Sequence, residues 1–230
     1  ASDVYKRQHL DGIAAELKQA IRDAGALPFE IRTAAPSDFI TGAGAGGAYM
    51  LAARDLITND IEVAVEGAQL DGMICLASCD KTVPGQLMAA ARLNIPTLVV
   101  VCGYQPSGEY NGRHVDIEDV FIGSMHALTG KLPVDELVGM ARNAIKGPGV
   151  CSGMGTANSM HLVCEALGMA LPGSSPIAAN SPQMFDFVRQ AGQRIVAMIE
   201  EDLKPRDILS PGAFANAVSV VLAAGGSVNC

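Results

Sequence analysis

Two apolar runs with a helix-like stretch between them constrain this chain most. DGMICLAS (71–78) and PTLVVVCG (96–103) carry apolar side chains at consecutive positions, and GQLMAAARLN (85–94) lies between them with helical spacing. A strand wetted on one face alternates apolar and polar residues, whereas a strand covered on both faces does not. Strand, helix, strand with unbroken apolar runs therefore predicts a parallel pair in a covered sheet. The fold class expected is α/β: a three-layer α/β/α domain with a mainly parallel central sheet and a helix-rich C-terminal part.

The remaining segments fit around this unit. Leu10, Ile13, Ala14, Leu17 and Ile21 share one helical face, and Gly25 follows as a stop. LPFEIRTA (27–34) reads as a short strand, and DFITGAGAGGAYM (38–50) as a glycine-rich loop. Helices are expected through YMLAARDL and TNDIEVAVEGA, the second capped by Thr58 or Asn59. QPSGEYNGRH (105–114) reads as a loop. Helices follow at about 116–130, 134–146, 155–170, 182–203 and 211–224, with Pro205 and Pro211 as punctuation. The first eight residues, ASDVYKRQ, match nothing after them and are expected to be a non-native remnant, which leaves residues 9–230 as one domain. The Gly-Gly turn of the final AAGGSVNC is where a new element is expected to begin, so the domain reads as truncated.

Composition narrows the function. The net charge is −8, and no run of Lys or Arg is interleaved with aromatic residues, which argues against nucleic-acid binding. No stretch approaches the ~18 consecutive apolar residues of a membrane span. Six cysteines without tight spacing do not make a disulfide framework, so a reduced, cytoplasmic setting is expected.

Three places could carry chemistry. Cys79, Asp80 and Lys81 sit where the first apolar strand ends, the edge at which open α/β sheets bind ligands; the plain alternative is a polar loop with a packed thiol. Cys151 lies in KGPGVCSGMGTANSMH, where Gly147, Gly149, Gly153 and Gly155 allow close backbone approach and Thr156 can cap the helix that follows. A thiolate near a helix N-terminus is a good metal ligand; the alternative is a capped turn with an inert thiol. GAGAGG (42–47) satisfies G-x-G-x-x-G, with Glu62 downstream, so a dinucleotide site competes. No convincing strand precedes it, however, and Asp38, just before the glycines, would repel a phosphate and suits a divalent cation better. Cys75, Cys102 and Cys164 read as core, Cys230 is terminal, and His9, His114, His126 and His161 have no metal-ligand spacing.

Together these segments resemble the iron–sulfur dehydratases that act on dihydroxy acids and sugar acids. CDKTVPGQLMAAARLNIPT and GMGTANSMHLVCEALGMALPGSSPI look like the two signatures of that family. GEYNGRHVDIEDVF and DLKPRDILSPGAFANAVSVVLAAGGSVN resemble further segments of it. The resemblance runs from about His9 to the end of the chain.

It implies that Cys79 and Cys151 ligate the cluster, with [2Fe–2S] expected and [4Fe–4S] the alternative. Asp80, a carbamylated Lys81 and Asp38 would hold Mg²⁺. The implied reaction dehydrates a 2,3-dihydroxy carboxylic acid to a 2-keto acid, as a dihydroxy-acid dehydratase of branched-chain amino-acid synthesis does. A sugar-acid dehydratase and a non-catalytic fragment are the alternatives, and a homodimer is expected. The sequence departs from the family in three ways. Lys6 stands near the place of a first cluster cysteine, Phe39 follows Asp38 where the family has Gly, and the β-rich domain carrying the serine base is not among these residues. Ser152, close to a cluster ligand, reads as a turn residue and not as the base. The 230 residues alone are therefore expected to be inactive.

Overall fold

The computed structural model describes residues 9–36 and 44–230. Helix α1 (Leu10–Asp23) buries Ile13, Leu17 and Ala20, the face read from the spacing. After it, residues 24–36 run without regular structure, so the strand expected at LPFEIRTA is not formed. The glycine-rich stretch closes as a 3₁₀ turn at Gly44–Tyr49. The two helices expected after it are one, α2 (Ala52–Ala68). Thr58 does not cap it. Its hydroxyl donates back to Arg54 O (2.8 Å) within the helix and lies 3.0 Å from Gly85 O of the next helix.

β1 (Met73–Ala77), α3 (Thr82–Leu93) and β2 (Thr97–Val101) form the expected parallel unit. Met73 pairs with Thr97 and Ala77 with Val101. The regular sheet is smaller than expected, with only this pair among the described residues, but isolated parallel bridges extend it from Val99 to Ala170 and from Tyr104 to both Val150 and Ala178. QPSGEYNGRH is not a plain loop. It holds a hairpin, β3 (Gly108–Tyr110) and β4 (Arg113–Val115), turned by Asn111 and Gly112 in the left-handed region.

α4 (Ile117–Leu128) and α5 (Val134–Asn143) follow as a pair, then α6 (Thr156–Ala166), α7 (Pro182–Glu200), the short α8 (Pro205–Ile208) and α9 (Pro211–Ala223). The main core joins α1, α6 and α7 to both strands through Ile13, Val99, Cys164, Met169, Met184 and Val188. A second cluster, Ile57, Ile61, Val65 and Ala89, seals α2 against α3. Burying such aliphatic side chains stabilises by about 1.5–3 kcal/mol each. The chain is thus α/β, and its strands point their C-terminal ends at one edge.

Candidate metal and cluster centre

β1 delivers Ser78–Lys81 to that edge, and α3 starts at once. The carbonyl of Cys79 accepts from Thr82 N (3.1 Å) and Val83 N (3.2 Å), so the turn is the first step of the helix. Ser78, Cys79, Asp80 and Lys81 are all buried. Lys81 Nζ lies 2.9 Å from Asp80 Oδ2, while Asp80 Oδ1 is buried with no hydrogen-bond partner. A surface ion pair does not look like this. An oxygen left dry and unpaired costs about 1–3 kcal/mol or more for a charged group, a cost that a cation bound there would offset.

Cys151 is placed by the other strand. Beyond β2, Gly103 O accepts from Val150 N (2.9 Å), and Val150 O accepts from Gln105 N (2.7 Å). Gly149 makes this approach feasible. Its φ is +122°, and a Cβ there would lie 2.5 Å from the Tyr104 carbonyl carbon. Behind the loop, the buried Asn158 of α6 donates from Nδ2 to Cys151 O (3.0 Å) and Gly153 O (3.0 Å), with Ser152 O at 3.4 Å. Glu118, whose carboxyl burial and the neighbouring Asp116 and Asp119 push up, lies directly over Gly153.

α6 ties the two cysteine segments together. His161, buried on that helix, has Nε2 3.2 Å from Ser78 O. Burial lowers its pKa to about 4, so at neutral pH it is an uncharged strut. A third segment also arrives. Ser227 Oγ lies 2.8 Å from Thr156 Oγ1, and Ser227 N donates to Ser159 Oγ (2.9 Å). Cys230 follows, its thiol close enough to Asp80 and Lys81 to feel both charges. Sequence reasoning missed Asn158, Glu118 and the Ser227–Cys230 turn; only the Gly-Gly-Ser after α9 marked the turn as a special place. Asp38 lies outside the described residues.

The other candidates are accounted for. Burial pushes the Cys75 thiol up to about 12 and the Cys164 thiol higher still, as expected of core residues. His114, Asp116 and Asp119 have ligand atoms within 4.8 Å of one another. Asp116 Oδ1, however, accepts from Glu118 N and Asp119 N, and Asp119 Oδ2 accepts from Asp116 N, so both carboxylates are engaged in starting α4. Around GAGAGG a 3₁₀ turn stands where a dinucleotide fold needs a strand, a tight loop and an α-helix, and no strand precedes it among the described residues.

Residues 4–230 match the family model for the N-terminal region of dihydroxy-acid/6-phosphogluconate dehydratases. The chain belongs to this family. It is 44% identical over 223 residues to a dihydroxy-acid dehydratase of Caldicellulosiruptor saccharolyticus, covering 96% of this chain and 40% of that protein. It is 43% identical over 221 residues to one of Methanothermobacter thermautotrophicus, with the same coverage. The chain thus spans about 40% of the length of these curated dehydratases. The match begins inside the N-terminal octapeptide.

The donors fit the groups that the dehydratase resemblance implies. Two buried thiols suit iron, and the unpartnered Asp80 oxygen suits a hard cation.

Proposed function

We propose that this chain is the cluster- and magnesium-holding part of a hydro-lyase that converts a 2,3-dihydroxy carboxylic acid to a 2-keto acid and water. The observation that carries the reading is the buried Cys79–Asp80–Lys81 turn, a soft donor beside hard ones, with Asp80 Oδ1 unpartnered. Cys79 and Cys151 would hold the iron–sulfur cluster, and Asp80, carbamylated Lys81 and Asp38 would hold Mg²⁺. The family description covers both dihydroxy-acid and phosphogluconate enzymes, but the named relatives are dihydroxy-acid dehydratases. This favours a branched-chain dihydroxy acid over a sugar acid.

When bound, the two groups would supply Lewis acidity, magnesium at the substrate carboxylate and C2 oxygen and an iron at the C3 hydroxyl. The chain's own residues bind and orient. Asn158 fixes the Cys151 loop through its carbonyls, and His161 holds the Ser78–Lys81 turn against α6 as an uncharged imidazole at neutral pH. Carbamylation would turn Lys81 from an ammonium into an oxygen donor, so that Asp80 and Lys81 face a cation together.

No helix among the described residues is long and apolar enough to cross a membrane. Five buried cysteines, none in a disulfide, fit a reducing cytoplasm. A homodimer is in keeping with the apolar faces that α4 leaves at Phe121, Met125 and Leu128 and α9 leaves at Phe214, Val218 and Leu222.

Anaerobic reconstitution with iron and sulfide tests the assignment. Iron content and brown absorption should fall in Cys79→Ser and in Cys151→Ser. Asp80→Asn should keep both and lose Mg²⁺ binding. Equal bleaching by all three variants would refute the division between the two metals.

A further inference from the structure

Ser227–Cys230 is a built turn and not a trailing end. Gly226 presses against α6, where a Cβ would lie 2.8 Å from Ser159 Oγ, so no larger residue fits without a shift. Ser227 N donates to Ser159 Oγ (2.9 Å), and Ser227 Oγ lies 2.8 Å from Thr156 Oγ1. Inside the turn, Asn229 N donates to Ser227 Oγ (3.2 Å) and Cys230 N to Ser227 O (3.3 Å). These bonds leave the Cys230 thiol at the start of α6, with Sγ 3.9 Å from Thr156 O.

The same helix holds the other half of the arrangement. Further along α6, His161 Nε2 meets Ser78 O and so fixes the Ser78–Lys81 turn beside the helix. The Cys230 thiol therefore shares this edge with Asp80 and Lys81. Burial raises its pKa, a hydrogen bond with Ser159 lowers it, Asp80 raises it and Lys81 lowers it. Asp80 has one oxygen committed and one idle. Oδ2 pairs with Lys81 Nζ (2.9 Å), while Oδ1 is buried without a partner on a residue only 8% exposed. The idle oxygen and the thiol are two independent donors at one edge.

They differ in softness. Oxygens alone suit Mg²⁺ or Ca²⁺, whereas a carboxylate joined by a thiolate suits a borderline ion such as Zn²⁺, Fe²⁺ or Co²⁺. A bound cation displaces the thiol proton to solvent, so the thiol needs no lowered pKa to serve as a ligand.

We propose that Cys230 and Asp80 together ligate a borderline divalent cation, of the Zn²⁺, Fe²⁺ and Co²⁺ class, at the edge where α6 begins. Cys79 and Cys151 take no part in this pair. Cys230 is exposed, so the ion enters from solvent, and the buried Asp80 supplies the dry side. The inference rests on the dehydratase reading only in taking a cation to sit at Asp80, and it changes which ion that position prefers.

Cobalt titration tests it without a cluster and without activity. The 230-residue chain carrying Cys79→Ser/Cys151→Ser is stripped of metal and titrated anaerobically with Co²⁺, because a thiolate on cobalt gives a near-ultraviolet charge-transfer band that oxygen ligands do not give. Cys75, Cys102 and Cys164 are sealed in the core and do not compete. The band should appear, resist excess Mg²⁺, and vanish when either Cys230→Ser or Asp80→Asn is added. Absence of the band in the Cys79→Ser/Cys151→Ser chain, with circular dichroism like the parent's, would overturn the inference. So would a band that survives Asp80→Asn, because the thiol would then take cobalt without the carboxylate. If Cys79→Ser/Cys151→Ser loses its helical circular dichroism, the parent sequence decides: Cys230→Ser alone must weaken the parent's band, and an unchanged band rejects the inference. The dehydratase reading fails on a separate result, unchanged iron content and brown absorption in Cys79→Ser and in Cys151→Ser.

Discussion

His161 is the residue whose chemistry and position can be separated most cleanly. Its imidazole is held neutral by burial, with a folded pKa of about 4 against an ordinary 6.5. Below 6.5 the unfolded chain takes up a proton that the folded chain refuses, so stability falls as pH falls through this window and levels off below about 4. The span corresponds to about 3 kcal/mol. His9, which burial also depresses, adds in the same direction. His161→Gln keeps a donor for Ser78 O and cannot titrate. Urea midpoints of this variant between pH 7 and 4 should decline less steeply than those of the parent. A parallel decline would mean that carboxylates, and not this imidazole, govern the acid limb. Histidine without ligand spacing read correctly as structural, but nothing in the sequence pointed to Ser78 as its partner, because the two lie far apart in the chain.

At the scale of elements, the Cys151 loop depends on Gly149 and Asn158. Gly149→Ala forces a left-handed φ on a residue with a Cβ and drives it into the Tyr104 backbone. A loss of about 1–3 kcal/mol is expected, with a lower iron content after reconstitution. Gly112→Ala, also at positive φ but in open space, should cost less and leave iron unchanged. Thermal melts and iron assays on the pair separate strain at the loop from strain in general. The sequence told the parallel unit well, because MICLA within the first segment and LVVVC within the second are apolar at consecutive positions, as a doubly covered strand is. It told α2 less well. Thr58 looks like a cap, but its hydroxyl serves Arg54 O and Gly85 O, a tertiary contact that no local pattern encodes. The segment holding the Asn-Gly pair at 111–112 read as a loop, because the strands of the β3–β4 hairpin on either side are too short and polar to register.

For the whole molecule, the candidate site is a meeting of segments far apart in the sequence. Cys79–Lys81, the Cys151 loop and Ser227–Cys230 come together through α6. Both cysteine motifs were legible because each juxtaposes residue types that packing alone does not call for. The closing turn was not, since serine and asparagine after a helix are ordinary. None of the described side chains at this edge has a claim to be the C2 base, and general-base catalysis is typically worth 10²–10⁴-fold. Reconstituted residues 1–230 should therefore form keto acid from dihydroxyisovalerate or xylonate only at background. Robust turnover of either would mean that a group in these residues does take the proton.

The Ser78–Lys81 turn also bears on how such a site can change over generations. Cys79 and Asp80 are neighbours in the chain, and consecutive Cα atoms stand about 3.8 Å apart whatever the rest of the protein does. If each serves a different metal, the peptide bond is the ruler between them. Drift elsewhere in the fold can tilt the pair or move it as one body but cannot stretch it. A single inserted residue at this point would fail at once, and for both metals. The spacing is heritable as sequence before it is a matter of structure.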